Sequence, residues 1–591
     1  MQLKKLFIFI PLLFLVFNSY AQYYLRGEIK DEKNEPLQNV QIRLFSNNHF
    51  YYSGTNGGFG ITTNQLIDSI SLSLDGYETR IMKVNCEQWQ YISLKISSSN
   101  VNRNRPKLIS VTKNINQTSK IRWYVNDETY FQLVENEYVN AVKFPNTGFS
   151  LNVNKASYSN VRRFINMKSI VPPDAVRTEE IINYFNLHYR EPKSNDIFGM
   201  ESQLTSCPWD MEKQLLILNI NAKKLDLNKI PPGNFVFLID ASGSMDMPNR
   251  LPLLKAAFQM FVKNLRAIDT VSIVAYGGTV GIWLQPTSGA EKEKIIKSIE
   301  ELTALGDTPG EAAIMTAYDL ANRTFIKGGS NRVILATDGD FNVGLTSEKA
   351  LEDLITKEKQ SGVYLTCLGV GMGNFKDSKL EILAKKGNGN YAYLDDINEA
   401  EKVLVKELTQ TFYAVADDVF INLKFNAEFV KEYRLIGFDN RRDAVADSTI
   451  DLEGGEIGSG NSVLAIFEIV PTSDKLFNES TFSKDKLATI QMRYSMCNDT
   501  SHLVFENTCF ANYAEFKNID KEFQFATAVA MFGLKVKQSK FIKQADWMDI
   551  QRIATESYDP KSYLQTEFLH LIDKAQEVYT PKKRKKGKFF D

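Results

Sequence analysis

Hydrophobic and polar residues alternate along the first part of the chain in short runs that turn signals separate. Residues 40–44 and 70–74 place an apolar side chain at every second position, and Gly57-Gly58 interrupts the pattern between them. A period of two, divided by regular turns, is typical of strands that bury one face. We therefore predict a small β-sandwich over residues 22–97.

A different pattern begins near residue 233, where continuous apolar runs alternate with helix-like segments. The runs lie at 235–239, 271–275, 333–336 and 363–370. After the first run, apolar residues recur with the spacing of one helix face, at Leu254, Ala257, Phe258, Phe261, Val262 and Leu265. Because continuous apolar strands are typical of a sheet covered on both faces, we predict a doubly wound α/β domain with a parallel sheet over 233–413.

Strand-like patterns flank this α/β domain on both sides. One run lies before it, at 214–221, and others follow it at 419–425, 462–470 and 488–494. We hypothesise that these runs form one sandwich into which the α/β domain is inserted. A helical stripe then occupies the last part of the chain, with Leu564, Phe568, Leu571, Ile572, Ala575 and Val578 on one face.

These patterns divide the chain of 591 residues into eight predicted segments. They are a signal peptide at 1–21, the β-sandwich at 22–97, a linker at 98–122, an N-terminal extension at 123–232, the α/β domain at 233–413, a β-rich C-terminal extension at 414–516, a helical region at 517–580 and a basic tail at 581–591.

The first segment has the features of a secretory signal. Lys4 and Lys5 precede an apolar run at 6–17, and small residues occupy the two positions before the expected cut, at Ser19 and Ala21. No later segment approaches the ~20 apolar residues that a transmembrane helix needs. We therefore expect a protein exported to the periplasm or the cell surface, without a transmembrane segment.

The net charge and the cysteine spacing exclude two classes of function and suggest one disulfide. The formal net charge of −1 gives no electrostatic argument for nucleic-acid binding. None of the five cysteines has the spacing of a zinc site. Cys497 and Cys509 flank an expected hairpin, and we predict them as the candidate disulfide pair because export permits disulfides.

Oxygen-bearing side chains gather where the predicted parallel strands end. Asp240 ends the first strand and is followed by Ser242 and Ser244, Asp338 follows another strand, and Thr308 lies in a loop just before a helix. Doubly wound folds bind ligands at the carboxyl ends of their strands. An all-oxygen set suits Mg²⁺ first, with Mn²⁺ or Ca²⁺ as alternatives. Ser and Asp are also ordinary helix-capping residues. The alternative is therefore that this loop only caps a helix and binds no metal.

This set closely resembles the metal-ion-dependent adhesion site of von Willebrand factor type A domains. The resemblance implies that Ser242, Ser244 and Thr308 ligate one divalent cation directly, while Asp240 and Asp338 act mainly through water. It also implies an open coordination position, which an acidic residue of a partner protein would fill.

A wider resemblance covers residues 123–579. The stretches 156–164, 207–209, 331–342 and 433–441 are similar to the YfbK-like family of exported bacterial von Willebrand A proteins. The first domain resembles the carboxypeptidase regulatory-like domain, which implies a structural or adhesive sandwich without catalysis. The residues that carry this second resemblance are Gly27, Ile29, Glu35, Pro36, Leu37, Val40, Thr55, Gly57, Gly58, Phe59, Ile61, Gly76 and Tyr77.

The sequence contains no constellation that predicts an enzyme. Its four histidines are scattered, and neither a phosphate-binding loop nor a nucleophile elbow is present. We therefore predict a non-catalytic, metal-dependent protein-binding or adhesion module of the bacterial cell envelope. Two alternatives stay open: a structural scaffold in which the metal only stabilises the α/β domain, and a hydrolase with an unrecognised site.

Overall fold

The computed structural model describes residues 23–580, apart from short internal gaps. The gaps are 33, 47–49, 75–76, 96–127, 194–195, 227–228, 278, 305, 307–309, 340–353, 359–360, 374, 440–453, 473–484 and 498–500. The predicted signal peptide, linker and basic tail lie outside the described residues. The described residues form two compact units, one at the N-terminus and one from residue 128 onwards.

The N-terminal unit consists of two sheets around one apolar core. Its strands are β1 Tyr23–Asp31, β2 Gln41–Leu44, β3 Phe50–Tyr52, β4 Gly58–Thr63, β5 Ile67–Ser73, β6 Arg80–Asn85 and β7 Gln90–Leu94. One sheet has the order β4-β1-β7 and the other the order β3-β2-β5-β6. Leu25, Ile42 and Leu72 contribute to the shared core, as the period-two pattern predicts. The resemblance to a carboxypeptidase regulatory-like domain stays a prediction.

The second unit begins with short strands and helices before the α/β domain. These elements are β8 Val139–Asn140, β9 Asn146–Ser150, α1 Ala156–Asn166, α2 Thr178–Asn183, β10 Phe198–Ser206 and β11 Gln214–Ala222.

The α/β domain follows directly. Its elements are β12 Gly233–Asp240, α3 Leu251–Lys263, β13 Thr270–Gly277, β14 Thr279–Ser288, α4 Lys292–Glu300, α5 Gly310–Arg323, β15 Ser330–Thr337, β16 Tyr364–Gly369, α6 Asp377–Lys386, β17 Tyr391–Tyr393, α7 Ile397–Glu401 and α8 Leu408–Phe412.

Seven strands and three long helices complete the chain. They are β18 Ala414–Phe425, β19 Val430–Leu435, β20 Gly455–Gly458, β21 Ser462–Pro471, β22 Lys486–Ser495, β23 His502–Phe510, β24 Tyr513–Ala514, α9 Lys521–Val536, α10 Trp547–Ser557 and α11 Tyr563–Tyr579.

The sheet of the α/β domain has the order β14-β13-β12-β15-β16-β17. Phe237 of its central strand packs with α3, whereas the neighbouring Val236 and Leu238 pack with α5 on the other face. Helices therefore cover both faces, which confirms the predicted doubly wound fold. The continuous apolar pattern did not predict β14, an antiparallel edge strand. An edge strand needs fewer apolar residues, and Trp283 on β14 is 46% exposed.

Strands from before and after the α/β domain pair directly with each other. In one sheet, of order β24-β10-β11-β21-β19-β8, Leu216 of β11 lies opposite Phe467 of β21. The second sheet has the order β20-β18-β22-β23, with β9 paired to β18. The α/β domain is thus inserted between strands of one sandwich, as hypothesised.

Strand β11 is buried along its whole length because it is covered on both faces. Leu216 and Leu218 point into the core between the two sheets. Leu215 and Ile217 point the other way, into a core that contains Phe525 and Phe568 of the C-terminal helices. The helical region therefore forms a third layer over the sandwich.

The structure contradicts the candidate disulfide. Both thiols are free, and the β22–β23 register places them at opposite ends of the hairpin. Cys497 lies just beyond Ser495, which is opposite His502, whereas Cys509 lies opposite Ala488. Cys509 lies seven positions after His502 along the strand, a distance of about 23 Å. A disulfide needs Cα atoms within ~7 Å, so this pair cannot form without unfolding the hairpin.

The inserted topology predicts a difference between two isolated segments. We expect residues 233–413 to fold alone, because the α/β domain contains its own sheet and both helical layers. Residues 415–515 should stay unfolded, because β18 would lose β9 and β21 would lose β11. Thermal unfolding of each segment followed by circular dichroism checks this, and a cooperative transition in 415–515 would contradict it.

Candidate functional site

Two fully buried carboxylates lie at the carboxyl ends of adjacent parallel strands. Asp240 ends β12, and Asp338 directly follows β15. The register pairs Ile239 with Ala336, so both strands end at the same edge of the sheet. The local sequence places each carboxylate at the end of its strand, and the parallel pairing of the strands brings the two carboxylates together.

The loop after β12 adds two hydroxyl groups to the carboxylates. Ser242 donates its backbone N–H to Asp240 Oδ1 at 2.9 Å, which holds the loop against the end of the strand. The Oγ atoms of Ser242 and Ser244 are 3.1 Å apart, and Ser244 Oγ donates to Asp338 Oδ2 at 3.0 Å. Four of the five predicted ligands therefore lie together. Thr308 lies outside the described residues.

Arg250 is a member of the site that the sequence analysis missed. Its Nη1 atom lies 2.8 Å from Asp338 Oδ2 and donates to the Ser244 carbonyl at 2.6 Å. Gly371 permits this position: its φ is +83°, and a Cβ atom there would lie 2.6 Å from Arg250 Nε. One signal in the sequence could have revealed Arg250. It is a positively charged residue directly before α3, a position that the helix dipole disfavours for a cation, so a nearby carboxylate could be expected to pair with it.

Electrostatics at this site favour a bound cation. Burial and the charge of Asp338 raise the pKa of Asp240 to about 7, against the lowering effect of hydrogen bonds from Ser242 and Thr337. The Thr337 hydroxyl donates to Asp240 Oδ2 at 2.7 Å. A buried carboxylate with a raised pKa is one whose negative charge is incompletely compensated. A cation between the two carboxylates would supply the missing compensation.

The spacing of the oxygen atoms fits an octahedral ion. Magnesium holds its ligands at ~2.1 Å, so two neighbouring ligands in an octahedron lie about 3.0 Å apart. The Oγ atoms of Ser242 and Ser244, the two described hydroxyls expected to bind the ion directly, lie 3.1 Å apart, close to this spacing. The donor set and its geometry therefore fit a hard divalent cation.

Three family models match successive parts of the chain. Residues 124–217 match a model described as von Willebrand factor, and residues 235–340 match the von Willebrand factor type A domain. Residues 410–578 match the model described as uncharacterized protein YfbK, C-terminal. The second match contains Asp240, Ser242, Ser244 and Asp338.

The chain is also similar to named proteins and to a solved structure. The chain is 36% identical over 470 residues to the uncharacterized protein YfbK of Escherichia coli, an alignment that covers 76% of this chain and 81% of that protein. It is 23% identical to a magnesium-chelatase 67 kDa subunit of Chlorobaculum parvum, over 37% of this chain and 39% of the subunit. A solved von Willebrand factor type A protein from Catenulispora acidiphila is 15% identical and covers 63% of this chain and 88% of its own, with a TM-score of 0.37.

The matches indicate a protein-interaction or adhesion-type role, since von Willebrand factor type A domains serve such roles. Among the described residues, no helix is long and apolar enough to cross a membrane.

Proposed function

Because this chain belongs to the YfbK family of proteins with a von Willebrand factor type A domain, we propose that it binds a partner protein through one divalent cation. Mg²⁺ is the proposed cation, with Mn²⁺ or Ca²⁺ as substitutes. Ser242, Ser244 and Thr308 would ligate it directly, and Asp240 and Asp338 would act mainly through water. The protein would be a non-catalytic module of the cell envelope.

One observation carries this proposal: two buried carboxylates and two hydroxyl groups converge on one sheet edge, and the two hydroxyl oxygens are 3.1 Å apart, close to octahedral spacing. When bound, the cation would offer an open coordination position to a carboxylate of the partner. Hydroxyl ligands are neutral, so they leave the ion electron-poor and receptive to that carboxylate. Arg250 neutralises part of the charge of Asp338 without contributing an oxygen ligand.

A structural scaffold is the second candidate, and buried ion pairs between domains favour it. Arg162 of α1 contacts Asp395 of the α/β domain at 2.5 Å and Glu567 of α11 at 2.9 Å. This arginine is 3% exposed and Glu567 is 25% exposed, so the arginine joins the α/β domain to the helical layer through a partly buried contact. In this case the cation would only stabilise the α/β domain.

Metal-dependent capture separates the two candidates. We expect the immobilised wild-type protein to retain partners from an envelope extract in Mg²⁺, and to lose them at least about 10-fold after chelation or in Asp240→Asn. Asp246→Asn is the matched control, because Asp246 is an exposed aspartate of the same loop. Quantitative mass spectrometry of the retained proteins gives the measurement. Equal retention with and without a chelator would refute capture through the metal and leave the scaffold.

A further inference from the structure

A second group of metal-ligating side chains lies outside the α/β domain. His188 lies in the loop after α2, and Asp520 and Glu522 lie at the start of α9. One ligand atom from each of these residues lies within 4.8 Å of the other two. His188 Nδ1 is 3.6 Å from Asp520 Oδ1 and 3.4 Å from Glu522 Oε2.

The imidazole of His188 is buried and held in one orientation. Its side chain is 3% exposed, and its Nε2 lies 2.9 Å from Glu201 Oε2 on strand β10. The ring packs on Phe523 with centroids 4.0 Å apart. The backbone is held as well, since Asn219 donates to the His188 carbonyl at 2.9 Å.

The other ring nitrogen of His188 has no hydrogen-bond partner among the described residues. Nδ1 is buried and points toward the carboxylates of Asp520 and Glu522. If Glu201 accepts the Nε2 proton, the Nδ1 lone pair faces two negative groups. That contact is repulsive unless a cation lies between them.

The arrangement fits a metal held by one nitrogen and two carboxylate oxygens. A carboxylate that fixes one ring nitrogen so that the other faces the ion is the usual support for a metal-bound histidine. Zinc binds nitrogen and oxygen ligands at ~2.0–2.1 Å, so ligand atoms in a tetrahedral site lie about 3.3–3.4 Å apart. The distances from Nδ1, 3.4 Å and 3.6 Å, are close to this spacing and too long for good hydrogen bonds.

We propose that His188, Asp520 and Glu522 form a second metal site, which binds Zn²⁺ and in which Glu201 positions the imidazole of His188. The carboxylates are partly open to solvent, with side chains 38% and 40% exposed, so water completes the coordination. The nitrogen ligand distinguishes this site from the all-oxygen site of the α/β domain and selects zinc over magnesium.

Zinc at this position would join three elements of the second unit. His188 follows α2, Glu201 belongs to the sandwich strand β10, and Asp520 caps α9 by accepting from the Glu522 N–H at 2.8 Å. The ion would therefore fasten the beginning of the helical layer to the sandwich.

A proton is the competing occupant of this site. Burial lowers the pKa of His188, but interactions with the carboxylates of Glu522, Glu201 and Asp520 outweigh burial and raise it overall. Arg190 is a second cation nearby, 3.7 Å from Asp520 Oδ2 and 3.8 Å from Glu522 Oε2. Its side chain is 57% exposed, so it can turn to solvent when a metal binds.

Zinc titration of the full chain tests the proposal. The protein competes for Zn²⁺ with a chromophoric chelator in excess Mg²⁺, so that magnesium occupies the site of the α/β domain. We expect one Zn²⁺ per chain in the wild type. His188→Gln should weaken Zn²⁺ binding on the order of 100-fold, and Glu201→Gln by about 10–100-fold.

Matched variants test whether Zn²⁺ binding depends on the proposed ligands. Asp520→Asn preserves the oxygen that caps α9 but removes a charged ligand, so Zn²⁺ binding should fall while the melting temperature in chelator is unchanged. His502→Gln should bind Zn²⁺ normally, because His502 is an exposed histidine and Asp418, at 3.8 Å, is the one carboxylate that it pairs with among the described residues. Asp240→Asn should also bind Zn²⁺ normally. A failure of the zinc-site proposal can therefore be distinguished from a failure of the proposed capture of a partner through the first site.

X-ray absorption at the zinc edge gives the coordination. One nitrogen and otherwise oxygen ligands are expected in the wild type, and no defined site in His188→Gln. Equal Zn²⁺ affinity in the wild type, His188→Gln and Asp520→Asn would overturn the proposal and assign the buried charge to a proton on His188.

Discussion

Arg332→Ala is expected to lower the free energy of unfolding by about 3–5 kcal/mol. Arg332 on β15 is 1% exposed and makes a bidentate pair with Glu456 on β20, at 2.9 and 2.8 Å. Removing the guanidinium leaves the Glu456 carboxylate buried, with the Asn390 amide donating to it at 2.7 Å. A buried charge without its counterion is costly, so the urea midpoint should fall. Because the ion pair joins the α/β sheet to the sandwich, its removal should lower the stability of both.

An exposed ion pair in the same domain is the control for this variant. Arg323 pairs with Asp319 on the surface of α5, with side chains 68% and 58% exposed. Arg323→Ala should change the stability by less than about 0.5 kcal/mol. The double variant Arg332→Met/Glu456→Leu should recover most of the loss, because no unpaired charge is left. Equal effects of Arg332→Ala and Arg323→Ala would contradict the role of the buried pair.

Asp240→Asn should weaken Mg²⁺ binding by about 10–100-fold without destabilising the metal-free protein. The amide keeps an oxygen that accepts from the Ser242 N–H and a group that can pair with the Thr337 hydroxyl. It also removes one of two buried like charges, so the metal-free stability should rise on the order of 1 kcal/mol. Calorimetric Mg²⁺ titration and thermal unfolding in a chelator measure the two effects.

Asp246→Asn controls for a general effect of charge in this loop. Asp246 is exposed, so both the Mg²⁺ affinity and the melting temperature should be unchanged. A parallel fall of metal affinity and metal-free stability in Asp240→Asn would mean that the carboxylate is a structural residue. Unchanged Mg²⁺ affinity in Asp240→Asn would contradict the proposed cation site.

Local patterns in the sequence determined the type of each layer. Side-chain periodicity depends only on neighbouring residues, so period two predicted the N-terminal sandwich and continuous runs predicted the doubly covered sheet. The position of Asp240 and Asp338 at strand ends followed from the same patterns. Parallel strands end at one edge, which is why the sequence alone predicts a shared site there.

Only the tertiary structure decided which distant residues meet. Strand β11 pairs with β21, more than 240 residues later, and His188 contacts residue 201 as well as residues 520 and 522. Arg250 entered the cation site through a contact with Asp338, and the hairpin register separated Cys497 from Cys509. Periodicity reports which face of an element is buried but not what covers that face. Pairings between residues hundreds of positions apart depend on tertiary packing and on the entropic cost of closing the long loop between them. Neither can be read from the residues next to each strand.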